Sequence, residues 1–144
     1  MHTTALFFEV GGGTSSYSIN YSKRIFAVKK SNAYLRAGVS IWKDQITLPL
    51  GLTLITGEGN HHVELTLTLA PISKGLEFWD RDASDIRLDL VFGLGYRYQP
   101  AAKAFFISAG IYPHLMIDPT ATSISEETSA ILLRSGVSLG YFLR

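Results

Sequence analysis

The sequence predicts an all-β protein, an eight-stranded antiparallel up-and-down transmembrane β-barrel built as one domain over residues 1–144. Three observations carry this. Apolar and polar residues alternate along most of the chain, which is the period of a strand and not of a helix. The polar side of that alternation is rich in glycine and arginine. No apolar run approaches the ~18 residues of a spanning helix, although the chain is 47% hydrophobic, 17% charged and has a mean hydropathy of +0.17.

The longest alternating stretch is Ile86–Tyr98. Ile86, Leu88, Leu90, Phe92, Leu94, Tyr96 and Tyr98 share one face, and Arg87, Asp89, Val91, Gly93, Gly95 and Arg97 share the other. An apolar band closed by tyrosines and backed by charge and glycine fits a lipid-facing wall around a narrow polar lumen.

The other strands follow in order. The first sets Leu6, Phe8 and Val10 against Phe7 and Glu9, and Gly11-Gly12-Gly13 then opens a tight turn. A phosphate cradle would need a helix after those glycines, and Ser16–Tyr21 reads as a strand instead. That second strand sets Tyr17, Ile19, Tyr21 and Ile25 against Ser18, Asn20, Ser22 and Arg24. After a turn at Val28–Asn32, Leu35, Ala37, Val39 and Ile41 oppose Arg36, Gly38, Ser40 and Trp42.

Lys43-Asp44 leads into a fourth strand over Ile46–Leu54, where Pro49 predicts a bulge or weak pairing. Gly57–Asn60 turns the chain into Val63, Leu65, Leu67 and Leu69, opposite His62, Glu64, Thr66 and Thr68. A long loop spans Pro71–Ser84 before the sixth strand. Gln99–Lys103 is a short return. The seventh strand sets Phe105, Ile107, Ala109 and Ile111 against Phe106, Ser108, Gly110, Tyr112 and His114. A second long loop covers roughly 118–130, and the last strand sets Leu133, Val137, Leu139, Tyr141 and Leu143 against Arg134, Gly136, Ser138 and Gly140.

Alternation alone does not say which face is outside, since a soluble barrel of lipocalin type would point its leucines inward. The recurrent glycines suit a crowded interior and would weaken a solvated face. Arginine without lysine suits buried bidentate pairing. Tyr21, Tyr96, Tyr98 and Tyr141 are placed as an interfacial aromatic girdle. With both termini in the periplasm, both long loops fall on the outer side and the three periplasmic turns are short.

A net charge of +1 makes no electrostatic case for nucleic acid, and the absence of cysteine excludes disulfides and thiolate sites. No signal peptide precedes Ala5, so an exported chain is expected in mature form.

The stretches Phe8–Gly13 with Tyr17–Arg24, Gly93–Pro100 and Gly136–Tyr141 resemble small eight-stranded Gram-negative outer-membrane barrels. The resemblance covers most of the chain and describes architecture. It implies a cell outer membrane location, contact with membrane lipids and companion outer-membrane proteins. Members commonly end in an aromatic residue read by the assembly machinery; here Leu143 takes the corresponding outward position.

The candidate interior residues are Arg24, Arg36, Glu64 and Arg97 toward the periplasmic end, and Glu9, Arg87, Asp89 and Arg134 toward the outer end. Buried charge is costly unless paired, so two layers of ion pairs plugging the lumen are expected, not a selectivity ring. Eight strands leave too little room for an aqueous channel. His62 and Glu64 share a face without a third metal ligand. A lipid-A-modifying enzyme would need a serine, a histidine and a carboxylate together, and Ser135 and His114 fall on different faces. Neither catalysis nor a cofactor is expected. Phe78 and Trp79, in the longest loop, are the candidate partner contact.

Overall fold

The computed structural model describes residues 3–14, 16–74, 86–117 and 129–143. Every regular element among them is a strand: β1 (Thr4–Gly11), β2 (Tyr17–Val28), β3 (Ser31–Trp42), β4 (Gln45–Thr47), β5 (Leu50–Glu58), β6 (His61–Lys74), β7 (Ile86–Tyr98), β8 (Phe105–Ile117) and β9 (Ser129–Leu143). All pairings are antiparallel. Because β1 also pairs with β9, the sheet closes into a ring.

Nine strands stand where eight were expected. The predicted fourth strand is divided into β4 and β5 at Leu48 and Pro49, because proline has no N–H to give the ladder. Pro49 keeps its carbonyl, which accepts from the Gly38 N–H at 2.8 Å, while the Leu48 N–H turns to the Pro71 carbonyl at 3.1 Å. Register survives the break. Ser40 faces Thr47 and Ala37 faces Leu50 on the same count, and both short strands lie between β3 and β6.

Pro113 makes a second gap. The β7–β8 ladder runs through Val91↔His114, omits Phe92 and Gly93, and resumes at Leu94↔Ile111. The register does not shift there, so His114 stays inward.

Cross-strand pairs measure the stagger of the ring. From Tyr141 the path runs through Leu6, Tyr21, Ala37, Leu50, Leu69, Leu90 and Leu115 to Ile131, ten residues back along β9. One rim holds the short connections 29–30, 59–60 and 99–104, together with the start of β1 and the end of β9. The other rim, called here the loop end, holds the turn that follows β1, the connection 43–44, the ends of β6 and β8 and the starts of β7 and β9.

Burial alternates with the sequence. Leu50, Leu52, Leu65, Leu67, Leu94 and Leu139 are 43–57% exposed on the outside, whereas Glu9, Arg36, Glu64, Asp89 and Arg97 are 1–5% exposed on the inside. Three residues depart from the faces that alternation gives them, and one of these, Arg87, is exposed near one end of its strand. Trp42, expected inward, is half exposed at the end of β3, edge-on to Tyr17 at 6.1 Å. Ile46, expected outward, is buried.

Candidate functional site: the charged interior

Alternation delivers Glu9 from β1, Asn20 from β2, Arg36 from β3 and Ser138 from β9 to the interior near the loop end. The Glu9 carboxylate accepts from Arg36 Nη2 at 3.0 Å and Nη1 at 3.4 Å, from Ser138 Oγ at 3.3 Å, and from the Gly13 N–H at 2.8 Å. Arg36 Nη2 also donates to Asn20 Oδ1 at 3.1 Å, and Asn20 Nδ2 donates to Ser18 Oγ at 2.7 Å. Charge-assisted bonds of this kind are shorter and stronger than neutral ones. They engage the Glu9 carboxylate and both terminal nitrogens of Arg36, while Arg36 Nε is buried without a hydrogen bond among the described residues.

His114 on β8 forms a second cluster in the same half. Its Nδ1 lies 2.6 Å from Asp89 Oδ2 on β7, and its Nε2 lies 2.7 Å from the Gly12 carbonyl. That carbonyl is inside the ring because the first connection folds inward: Gly12, Gly13 and Thr14 are all buried. Gly11 and Gly12 adopt φ of 69° and 68°, which only glycine takes at no steric cost. Gly136 leaves the turn its space, since a Cβ there would stand 2.5 Å from the Gly12 nitrogen.

The opposite half is built differently. Arg97 Nε and Glu64 Oε2 are 2.7 Å apart, yet misaligned for a hydrogen bond. The Arg97 guanidinium lies 3.7 Å above the Phe106 ring centre. Phe106 packs with Phe7 and Phe142 at ring separations of 5.9 and 5.4 Å, with Ala5 completing an apolar cluster inside the ring. Gly140 admits that cluster, because any Cβ there would collide with the Phe106 ring. Tyr112 crosses the middle of the interior, its ring against Gly93.

Of the expected interior set, Glu9, Arg36, Glu64, Asp89 and Arg97 are buried and paired. The expected division by height does not hold for Arg36, which reaches up to Glu9 instead of joining Glu64 and Arg97. Arg24 is half-buried, with Nη1 enclosed and unbonded among the described residues. Arg134 is half-buried and has a partner. Arg87 is a correction: it is exposed near the loop end of β7, where the strand has run past the filled interior. Tyr21, Tyr96 and Tyr141 are half exposed on the outside and Tyr98 is half-buried. Phe78 and Trp79 lie outside the described residues.

No family model matches this chain, and no curated protein or solved structure does either. What the interior can do is therefore read from its own chemistry. Its acids and bases bind one another, and aromatic rings fill the space between them.

Sequence reasoning missed three contributors. His114 as the partner of Asp89 was legible from parity, as was the inward set Phe7, Phe106 and Phe142. The inward turn at Gly12 had no sequence signal beyond its glycines. Ser135 is exposed on the outer face while His114 is buried within, so the two do not meet.

Proposed function

We propose that the chain is a non-enzymatic outer-membrane β-barrel of eight staves, β4 and β5 forming one. Its lumen is closed and plugged by charge, and it serves as a structural or accessory subunit or as a scaffold for surface loops. The observation that carries this is the inversion of the usual order: leucines outside, ions inside. In water a continuous apolar exterior would far exceed the few hundred Å² that soluble monomers expose. Acyl chains remove that cost.

The dimensions agree with this reading. A stagger of ten residues at ~3.3 Å, spread over eight staves ~4.7 Å apart, gives a strand tilt of about 40°. Along β9 the outward residues from Ile131 to Tyr141 then span about 25 Å of height, the apolar band of such barrels. Aromatic rings flank that band. His61, Tyr96 and Tyr98 cluster at the short-turn rim, and Phe8, Tyr17 and Trp42 near the loop end. The loop end then faces the cell exterior, its long loops available to companion outer-membrane proteins, and both termini face the periplasm.

The test is solubility and insertion. The protein is expected to require detergent, to migrate differently on unboiled gels, and to enter lipid vesicles. Leu94→Arg should cost about 2–4 kcal/mol of stability in bilayers, as midplane arginines do. A monodisperse monomer in plain buffer would sink the reading. Pull-down from outer membrane, with the loops intact and then shortened, would find the companions.

A further inference from the structure

The inward turn at residues 12–14 is held by groups that ordinary turns do not have. Two buried side chains from outside the turn grip its backbone: Glu9 takes the Gly13 N–H and His114 faces the Gly12 carbonyl. Gly136 is cut away to make its seat. Both ring nitrogens of His114 look at oxygens that can only accept, the Asp89 carboxylate and the Gly12 carbonyl. A neutral imidazole has one N–H and can serve one of them. Only the imidazolium donates to both.

We propose that the 12–14 turn is a plug in the loop end of the ring, and that His114, held as the imidazolium, is its proton-operated latch. With the proton in place, His114 ties β7 to the turn through two charge-assisted bonds. Loss of the proton leaves either Asp89 or the Gly12 carbonyl facing a nitrogen lone pair in a buried site, and the turn is freed on that side. The latch is closed while both ring nitrogens of His114 carry protons and open once one of them is lost.

Few other inward groups in this half of the interior, among the described residues, are charged or titratable. They are Asp89 on β7, Arg134 on β9, Glu9 on β1, Arg36 on β3, and Tyr112 two residues earlier on β8. Glu9 is already committed to Arg36, Ser138 and Gly13, which leaves Asp89 as the counter-charge for the imidazolium. Glu9 also grips the plug itself, so opening the latch loosens the turn without releasing it from β1. The inference does not depend on a membrane location, since it rests on the interior alone.

The experiment is nitrogen NMR of the histidine rings in the folded full chain, with His2→Gln, His61→Gln and His62→Gln variants assigning the other three histidines by elimination. Wherever the turn is protected, His114 is expected to show two protonated ring nitrogens. Hydrogen exchange at Gly12–Thr14, corrected for its intrinsic pH dependence, should quicken about tenfold or more when that signature is lost. In His114→Gln this extra step should vanish. A single-tautomer neutral ring under conditions where the turn is fully protected would overturn the proposal. So would an exchange profile that His114→Gln leaves unchanged. The ring spectrum is read on the unmutated protein, so it decides the matter even if His114→Gln does not fold.

Discussion

The two halves of the interior solve the same problem by different chemistry. Toward the loop end, Glu9 and Arg36 are bonded to each other and to Asn20, Ser138 and Gly13. Toward the short-turn end, Glu64 and Arg97 have a close but misaligned contact, and Arg97 leans on Phe106 for the rest. One half is a hydrogen-bonded network, and the other is an ion pair set in aromatic rings. The comparison teaches that being buried and paired is a coarse description. What differs is how many partners each ion would leave behind if it were removed.

That difference can be broken from either side. The largest effect is expected from Glu9→Ala, which strips Arg36, Ser138 and the Gly13 N–H of an acceptor at once. A loss of about 4–5 kcal/mol should appear in denaturant unfolding, the upper part of the range for an orphaned buried charge. Arg97→Met should cost less, about 3 kcal/mol, because it orphans Glu64 alone and keeps apolar packing on Phe106. Adding Glu64→Gln to it should restore most of the loss, since replacing both members of a buried pair is often close to neutral. If Arg97→Met proves the costlier change, the ranking of network over pair is wrong.

Gly140→Ala comes next. It pushes a methyl into the Phe106 ring and should cost about 1–3 kcal/mol by overpacking. The smallest effect belongs to the rim. Lys30 and Glu58 form an ion pair with side chains 67% and 69% exposed, so Lys30→Ala should shift stability by less than about 0.5 kcal/mol.

Much of this was legible in the residues. Period two assigned inward and outward faces correctly along Ile86–Tyr98 except at Arg87, which is exposed; Asp89, Val91 and Arg97 are buried while Phe92, Leu94 and Tyr96 are half exposed. Pro49 announced its own gap, because a missing N–H is a local property. Pairing partners were not legible. Arg36 and Glu9 are 27 residues apart, and which acid an arginine meets depends on the stagger of the ring and not on its own strand. Trp42 escaped for a related reason: at a strand end the chain is turning, and parity no longer dictates direction. The inward turn was hidden because three glycines permit many paths, and the choice among them is made by His114, 102 residues away along the chain.

The Gly12–Gly136 contact carries a consequence for assembly. The first hairpin is local and can pair early, yet the seat for its tip is on β9, which is synthesised long after it. Contacts of such long sequence separation form slowly, because the intervening chain must be ordered first. The cap made by the turn after β1 is therefore completed only when the β1–β9 seam is sewn, and a chain missing β9 would carry that turn unseated.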